Sequence, residues 1–441
     1  MRTKKLFWQI LLWANWAVIL GFWWNGSGGL FNQGLPWALI ALGRLAGLAA
    51  AYMILQQFFF MGRLPLLEGT FGLDKLSRIH HTNGQRGLVL LLFHPALLIL
   101  GNKALSGEGF IGQFKLFLMD YEHIWLALVG LSLFVAVVAV SLSIVMNKLR
   151  YESWYFVHLL VYGAIFSSFW HQIEGGTDLL RNQIFYGYWI ALYTIVFTVH
   201  LTFRFLRPLY CNFRHGFYVG RIVRENYNTV SIYIRGRQLD KFNINPGQFM
   251  ILRFLDKKLW WQAHPFSLSM MPNGQELRVT VKELGDFTKQ VAGLRESTKI
   301  IIDGPYGVFT ELFSSSPKVL FIAGGIGITP IRSLMEQMTK HKKDVSLLYS
   351  NRTQNDIVFR KELDEVAQNY NAKVTHILSD DPQYQGERGY VDKEKIQRLV
   401  PDLASREVFL CGPPSMMDAV IKMLKELGVP PPKIHFERFS L

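Results

Sequence analysis

HHTNGQRGLVLLLFH, residues 80–94, and HLLVYGAIFSSFWH, residues 158–171, are two apolar runs with a histidine at either end. On a helix a 14-residue step returns almost to the same face and rises about 21 Å. His80 and His94 therefore share a face, whereas His81 points well away from it. The 13-residue step from His158 to His171 misses its face by more than about a third of a turn. The second run must bend or bulge, with Gly163 and Ser167–Ser168 as the candidate points. Imidazoles in such surroundings are costly unless a metal, a proton path or a hydrogen-bonding partner uses them.

Around these runs the chain reads as membrane-spanning. Six segments reach the roughly 20-residue length that crosses a hydrocarbon core: Leu6–Trp24, Pro36–Phe60, Leu76–Leu100, His123–Ile144, Trp154–His171 and Ile184–Phe205. Basic residues collect on alternate connections: Arg2, Lys4 and Lys5 before the first span, and Arg63, Lys75 and Arg78 after the second. Lys148 and Arg150 follow the fourth span, and Arg204, Arg207 and Arg214 the sixth. The positive-inside rule then places both termini in the cytosol. It puts His80 and His158 near the inner face and His94 and His171 near the outer. The start MRTKK with its apolar run resembles a signal peptide, but no small-residue cleavage site follows, so it reads as an uncleaved first span.

Paired by depth, His80 with His158 and His94 with His171 form two candidate metal sites, each suited to a haem held by two imidazoles. Such ligation leaves no open position on iron and favours electron transfer. Histidines hydrogen-bonded in a polar helix seam, or a proton path, are the competing readings. His123, His200 and His215 lack partners at matching depth and read as interfacial or structural. Arg44, in ALGRLAGLAA, needs a counter-charge inside the second span. A haem propionate or snorkelling to an interface would supply relief, and Gly43, Ala46 and Gly47 permit close approach of a helix or a flat ligand.

Bulk properties agree with a membrane half and a soluble half. Of 441 residues 50% are hydrophobic, and the apolar runs stop near Pro208. The net charge of +14 sits largely beside the apolar segments, which is membrane topology rather than nucleic-acid binding. Two cysteines, Cys211 and Cys411, cannot make a disulfide framework.

Beyond the spans the pattern changes twice. YVGRIVRENYNTVSIYIR, GQFMILRFL and ELRVTVKEL alternate or form short apolar runs with Gly and Pro punctuation, as in a small antiparallel barrel. HPFSLS (264–269), GDFTK (285–289) and GPYG (304–307) are its distinctive turns. From Lys318 strands and helices alternate, which predicts a parallel sheet with ligands at its carboxyl ends. In AGGIGITP (323–330), Gly324, Gly325 and Gly327 let backbone amides approach a pyrophosphate at a helix N-terminus. Ser350 and Arg352 suit an adenosine 2′-phosphate, an exposed loop being the alternative.

HPFSLS, GDFTK, AGGIGITP and CGPPSMM, in that order, resemble the FAD- and NAD(P)-binding halves of the ferredoxin–NADP reductase superfamily. Joined to six spans and two histidine pairs, they make the chain similar to the ferric reductase and NADPH oxidase superfamily, especially its compact bacterial members. RLPLLE (63–68) also matches those members. The fold class expected is multi-domain: a six-helix transmembrane haem-binding bundle over 1–210, an antiparallel β-barrel FAD domain over 211–315, and an α/β parallel-sheet nucleotide-binding domain over 316–441.

The resemblance implies roles residue by residue. His80, His94, His158 and His171 match the haem ligands, 13-residue step included, and Arg44 matches an intramembrane arginine near the haems. His264, Pro265, Phe266 and Ser267 match the flavin-contacting motif, and Gly285, Asp286, Phe287 and Thr288 its phosphate-binding partner. Gly324, Gly325, Gly327, Thr329 and Pro330, with Cys411, Gly412 and Pro413, match the nicotinamide-nucleotide motifs. Phe439 matches a C-terminal aromatic that shields the flavin, and with Cys411 it is the catalytic candidate. The implied cofactors are FAD, two b-type haems and NADPH or NADH, with Arg352 favouring NADPH.

The expected activity passes electrons from cytosolic NAD(P)H to an acceptor across a bacterial plasma membrane. Dioxygen giving superoxide is preferred, with a ferric chelate or a partner protein as alternatives. Leu98 stands where some animal oxidases have a histidine, which removes one argument for oxygen. No EF-hand loop and no insertion suited to a regulatory subunit is evident, so no obligatory protein partner is expected.

Overall fold

The computed structural model describes residues 2–145, 151–370 and 372–438. Lys148, Arg150 and Phe439, which carry expectations above, lie outside the described residues. The chain divides into two compact units, Met1–Phe71 with Lys75–Phe205, and Gly72–Asp74 with Leu206–Leu441.

The first unit is helical. Among the described residues five helices are long and apolar enough to cross a membrane by length and composition: Thr3–Gln33, Leu35–Met61, Leu73–Ser106, Ile124–Leu142 and Gln183–His215. The sequence-predicted span Trp154–His171 is instead two helices, Tyr151–His158 and Leu160–Gly175. The interruption falls at Leu159, directly after His158, and not at Gly163 or Ser167–Ser168. There the Tyr162 amide donates to the Leu159 carbonyl at 3.1 Å, a tighter i→i+3 turn.

Glycines set the closest helix contacts. A Cβ on Gly47 would lie 2.6 Å from His94 Nδ1, one on Gly43 would lie 3.0 Å from Leu98, and one on Gly101 would meet Ile40 at 2.7 Å. The small residues around Arg44 thus admit the helix Leu73–Ser106 to the helix Leu35–Met61. The interior of this unit is aromatic and aliphatic, with Phe185, Trp189 and Leu55 fully buried.

In the second unit six short strands come first: β1 (Tyr218–Asn226), β2 (Thr229–Arg235), β3 (Phe249–Phe254), β4 (His264–Ser267), β5 (Leu277–Lys282) and β6 (Ile300–Tyr306). They form two antiparallel sheets, β1-β2-β5 and β4-β3-β6. Bridges Tyr218↔Lys299 and Leu268↔Val279 join them at both edges into a closed ring. Alternate residues such as Ile232, Ile234, Val279 and Val281 fill the inside.

Six parallel strands follow: β7 (Lys318–Gly324), β8 (Asp344–Asn351), β9 (Ala372–Leu378), β10 (Glu387–Arg388), β11 (Glu407–Cys411) and β12 (Ile434–Phe436). Their order is β10-β9-β8-β7-β11-β12, with apolar cores on both faces. Near-continuous runs such as VLFIA are what a parallel sheet covered on both faces requires. The edge strands β10 and β12, of 2 and 3 residues, are too short to show in the pattern.

A buried ionic cluster ties the barrel to the nucleotide domain. Arg278 on β5 donates to both oxygens of Glu362, at 2.6 and 3.0 Å, and Arg332 donates to Glu362 at 2.9 Å and to Glu336 at 2.9 Å. The Arg278 guanidinium also lies 4.4 Å from the centre of the Phe359 ring. Burial alone would raise the Glu362 carboxyl, but the guanidinium of Arg278, reinforced by Arg332, holds it below its ordinary 4.5. Nearby, the Gly247 amide donates to Ser333 Oγ at 2.9 Å and Tyr227 Oη to Asp356 at 2.7 Å.

Candidate functional site

The helical unit brings the four histidines together in two pairs. The rings of His80 and His158 are 6.0 Å apart between centres, and those of His94 and His171 are 6.2 Å apart. His81 is exposed and takes no part. Two imidazoles binding one metal ion from opposite sides each place a nitrogen about 2 Å from it. Each nitrogen lies about 1.1 Å from its own ring centre, given bonds of about 1.33 Å. The centres are then about 6.2 Å apart, so both pairs have the separation that a shared iron requires.

Polar satisfaction points the same way. His94 Nδ1 is 2.8 Å from the Gly43 carbonyl, an arrangement that fixes the tautomer and leaves Nε2 for a metal. Among the described residues, Nδ1 of His158 and of His171 are buried without a hydrogen-bond partner. Each such atom costs about 1–3 kcal/mol unless a further group completes the site. The residues present therefore fit haem. The His94–His171 pair borders a cavity of about 290 Å³ whose walls include Leu98, Ile99, Phe117 and Trp189.

Arg44 lines the same cavity, and its counter-charge is a protein carboxylate. Its Nη1 donates to Ser27 Oγ at 3.3 Å and lies 4.0 Å from Asp178 Oδ1, while Ser27 Oγ donates to Asp178 Oδ1 at 2.8 Å. Neither snorkelling nor a propionate is needed to explain the cation. Sequence reading overlooked Asp178 because it lies far along the chain, in the short helix Thr177–Arg181. His200 is structural, with Nδ1 2.8 Å from the Phe58 carbonyl and Nε2 2.8 Å from Tyr162 Oη. His215 Nδ1 is likewise 2.8 Å from the Arg237 carbonyl. His123 does have a partner, Glu174, at 2.6 Å.

On the barrel, His264, Pro265 and Phe266 are half-buried on β4 while Ser267 is buried. The ring of Phe287 lies 4.0 Å from that of His264 and 6.3 Å, nearly parallel, from that of Phe266. Strand β4 and the helix Asp286–Val291 are thus one aromatic surface suited to a flat isoalloxazine. Thr288 Oγ1 accepts from the amides of Leu284 and Gly285, each at 2.9 Å, which pins the turn. The amides of Asp286, Phe287 and Thr288 begin the helix and have no intrahelical acceptor, so they are the ones open to an anion.

The three glycines of AGGIGITP divide their work. A Cβ on Gly324 would meet Met416 Sδ at 2.4 Å and Pro413 at 2.8 Å, and one on Gly327 would meet the Cys411 carbonyl at 2.4 Å. Gly412 in turn approaches the Gly324 backbone, at 3.1 Å from a built Cβ. These glycines let the turns after β7 and β11 pack on each other. Only Gly325, at φ +51°, faces open space. The two turns meet where the strand order reverses, the position at which such sheets bind ligands.

Thr329 Oγ1 donates to the Ile326 carbonyl at 3.0 Å, and buried Pro330 follows it in the helix Ile328–Lys340. Ser350 is the residue before the end of β8 and is half-buried. Arg352 is exposed and donates to Asp380 at 2.9 Å, so a 2′-phosphate there competes with a carboxylate. Cys411 is fully buried and burial pushes its thiol up, so it packs the strand end rather than presenting a thiolate.

Three family models match the chain in succession. Residues 46–169 match the ferric reductase like transmembrane component, 219–310 an FAD-binding domain, and 321–422 an oxidoreductase NAD-binding domain. The glycine betaine monooxygenase reductase subunit of Chromohalobacter salexigens is 28% identical over 256 residues, 54% of this chain and 69% of that protein. The plasma membrane-associated coenzyme Q6 reductase PGA3 of Saccharomyces cerevisiae is 32% identical over 199 residues, 43% of this chain and 64% of that protein. The flavohem-like FAD/NAD binding domain of nitric oxide dioxygenase from Vibrio cholerae superposes with a TM-score of 0.46 at 21% identity, covering 50% of this chain and 97% of that one. With a ferric-reductase-like membrane component followed by FAD- and NAD-binding domains, the chain has the ferric reductase/NADPH oxidase-type architecture and is an NAD(P)H-dependent oxidoreductase.

Proposed function

We propose that the chain is a transmembrane oxidoreductase that carries electrons from cytosolic NAD(P)H, by way of FAD and two b-type haems, to an extracytoplasmic acceptor. The observation that supports this most directly is the pair of ring separations, 6.0 and 6.2 Å, at two levels of the helix Leu73–Ser106. His80 and His158 hold the inner haem and His94 and His171 the outer. The domain limits 1–210, 211–315 and 316–441 belong to the same reading, as do six spans in a bacterial plasma membrane with both termini cytosolic.

When bound, the flavin turns a two-electron donor into one-electron steps and the haems relay them. The chain supplies spacing and access. The Gly43 carbonyl orients His94, Arg44 with Asp178 sets the charge beside the outer pair, and the Phe266–Phe287 surface seats the flavin. Gly325 keeps the nucleotide turn open, while Ser350 and Arg352 reach for the adenosine end.

Dioxygen giving superoxide is the acceptor we favour, because the cavity beside the outer pair is walled largely by apolar side chains and Arg44, the one Lys or Arg among its described lining residues, is matched by Asp178. A ferric chelate is the second reading, which an open cationic mouth would favour; the rim carries the carboxylates of Glu122 and Glu174 instead. Superoxide-dismutase-sensitive cytochrome c reduction by purified protein, with and without a ferric chelate, separates them. Reduced protein without a b-type spectrum would sink the relay altogether.

A further inference from the structure

We propose that Glu122, His123 and Glu174 form a site for a divalent first-row transition-metal ion at the rim of the cavity beside the outer histidine pair. Among the described residues this is the group of three metal-binding side chains whose ligand atoms all lie within 4.8 Å of one another. Two carboxylates and one imidazole are a mixed oxygen and nitrogen donor set, which suits manganese, iron or zinc better than calcium or magnesium. His123 Nε2 already stands 2.6 Å from Glu174 Oε2. Ligands about 2.0–2.2 Å from one ion lie about 3–4 Å apart, and rotation of the exposed Glu122 side chain closes the set.

The site belongs to the rim on two sides. Tyr121 and Ile124, which flank Glu122 and His123, line the cavity, and so does Gly175 beside Glu174. Glu174 follows His171 by one helical turn in Leu160–Gly175, a rise of about 4.5 Å. A divalent ion there cancels the two carboxylate charges with the imidazole neutral, so its occupancy sets the potential an acceptor meets at the mouth. The extracytoplasmic placement rests on the orientation proposed above; the ligand set does not.

The test is a Mn²⁺ titration of the full-length protein in detergent, following loss of the free aquo-ion signal by electron paramagnetic resonance. We expect one ion per chain, displaced by Zn²⁺, as the order of divalent affinities requires. Glu174→Gln and His123→Asn should each weaken binding about tenfold or more, since even outer-shell changes cost about 10–100-fold. Asparagine is chosen because His123 has φ 62°, a region asparagine tolerates. If His123→Asn misfolds by circular dichroism, Glu174→Gln decides alone. No stoichiometric binding to the wild type, or unchanged binding in a folded variant, overturns the site. In sealed proteoliposomes, binding only from the side that oxidises NAD(P)H overturns the placement and the orientation while leaving the ligand set standing.

Discussion

Replacing Glu362 by alanine removes the carboxylate that Arg278 and Arg332 share at the barrel–nucleotide domain seam. The Arg278 side chain is 4% exposed, so its guanidinium stays buried without its bidentate acceptor, whereas Arg332 keeps Glu336. Breaking one side of a buried pair costs about 3–5 kcal/mol. Glu362 is itself 30% exposed, which argues for the lower end. For a unit of this size, about 3 kcal/mol lowers the melting temperature by about 6–12 °C. Scanning calorimetry of the full-length protein reads this as a shift of the reductase transition.

The dependence on pH has a fixed sign. The Glu362 carboxyl titrates lower folded than unfolded, so its contribution is complete above about 4.5 and disappears as pH falls through the folded value. The difference between wild type and Glu362→Ala should therefore shrink on acidification. Replacing both Arg278 and Glu362 by leucine should recover part of the loss, because an apolar pair leaves no stranded charge. A shift under about 2 °C in the single variant, or a difference that grows in acid, refutes the reasoning.

Four further outcomes follow from named contacts. Gly47→Ala places a Cβ 2.6 Å from His94 Nδ1 and should remove the outer b-type absorbance in reduced-minus-oxidised spectra while the inner persists. His94→Ala and His158→Ala should each abolish one haem in the same measurement, and full retention of both would contradict the pairing. Arg352→Ala should lower kcat/KM for NADPH about tenfold or more with NADH little changed; comparable wild-type efficiency with both donors removes the basis for that preference. Arg406→Met should cost about 3–5 kcal/mol by thermal denaturation, because the side chain is 7% exposed and binds both oxygens of Asp344 at 3.0 Å. Hydrogen bonding from Arg406 pushes the Asp402 carboxyl down to about 2, so that link weakens only as pH falls from 3.8 toward that value.

Element types were legible because periodicity reports burial. The alternation in TVSIYIR and LRVTVK marks half-buried strands, and VLFIA marks a strand covered on both faces. His80 rather than His81 followed from helix geometry alone. The unread features depend on residues distant in sequence. Asp178 answers Arg44 from the far end of the helical unit, and Glu174 answers His123 across the intervening helices. Arg278 stands on the face of β5 opposite the core residues Leu277, Val279 and Val281 and is nevertheless buried, a polar position of the alternation for which the sequence named no partner. The glycines of the nucleotide turn had a visible need for close approach, but sequence suggested a phosphate where Gly324 and Gly327 meet protein.

The break at Leu159 separates two variables that a continuous rod would lock together. In an unbroken helix, rotating His158 to tune its geometry would swing His171 by the same angle. With the hydrogen-bond ladder interrupted between them, each half settles its own rotation against its own neighbours. The helix Leu73–Ser106 carries both His80 and His94, and Pro95 inside it removes the hydrogen bond to the Leu91 carbonyl beside His94. One wall of the histidine ladder is therefore interrupted beside His158 and the other beside His94. Substitutions around Trp154, whose ring lies 5.1 Å from that of His158, should therefore shift the His158 haem in reduced spectra and leave the His171 haem unchanged.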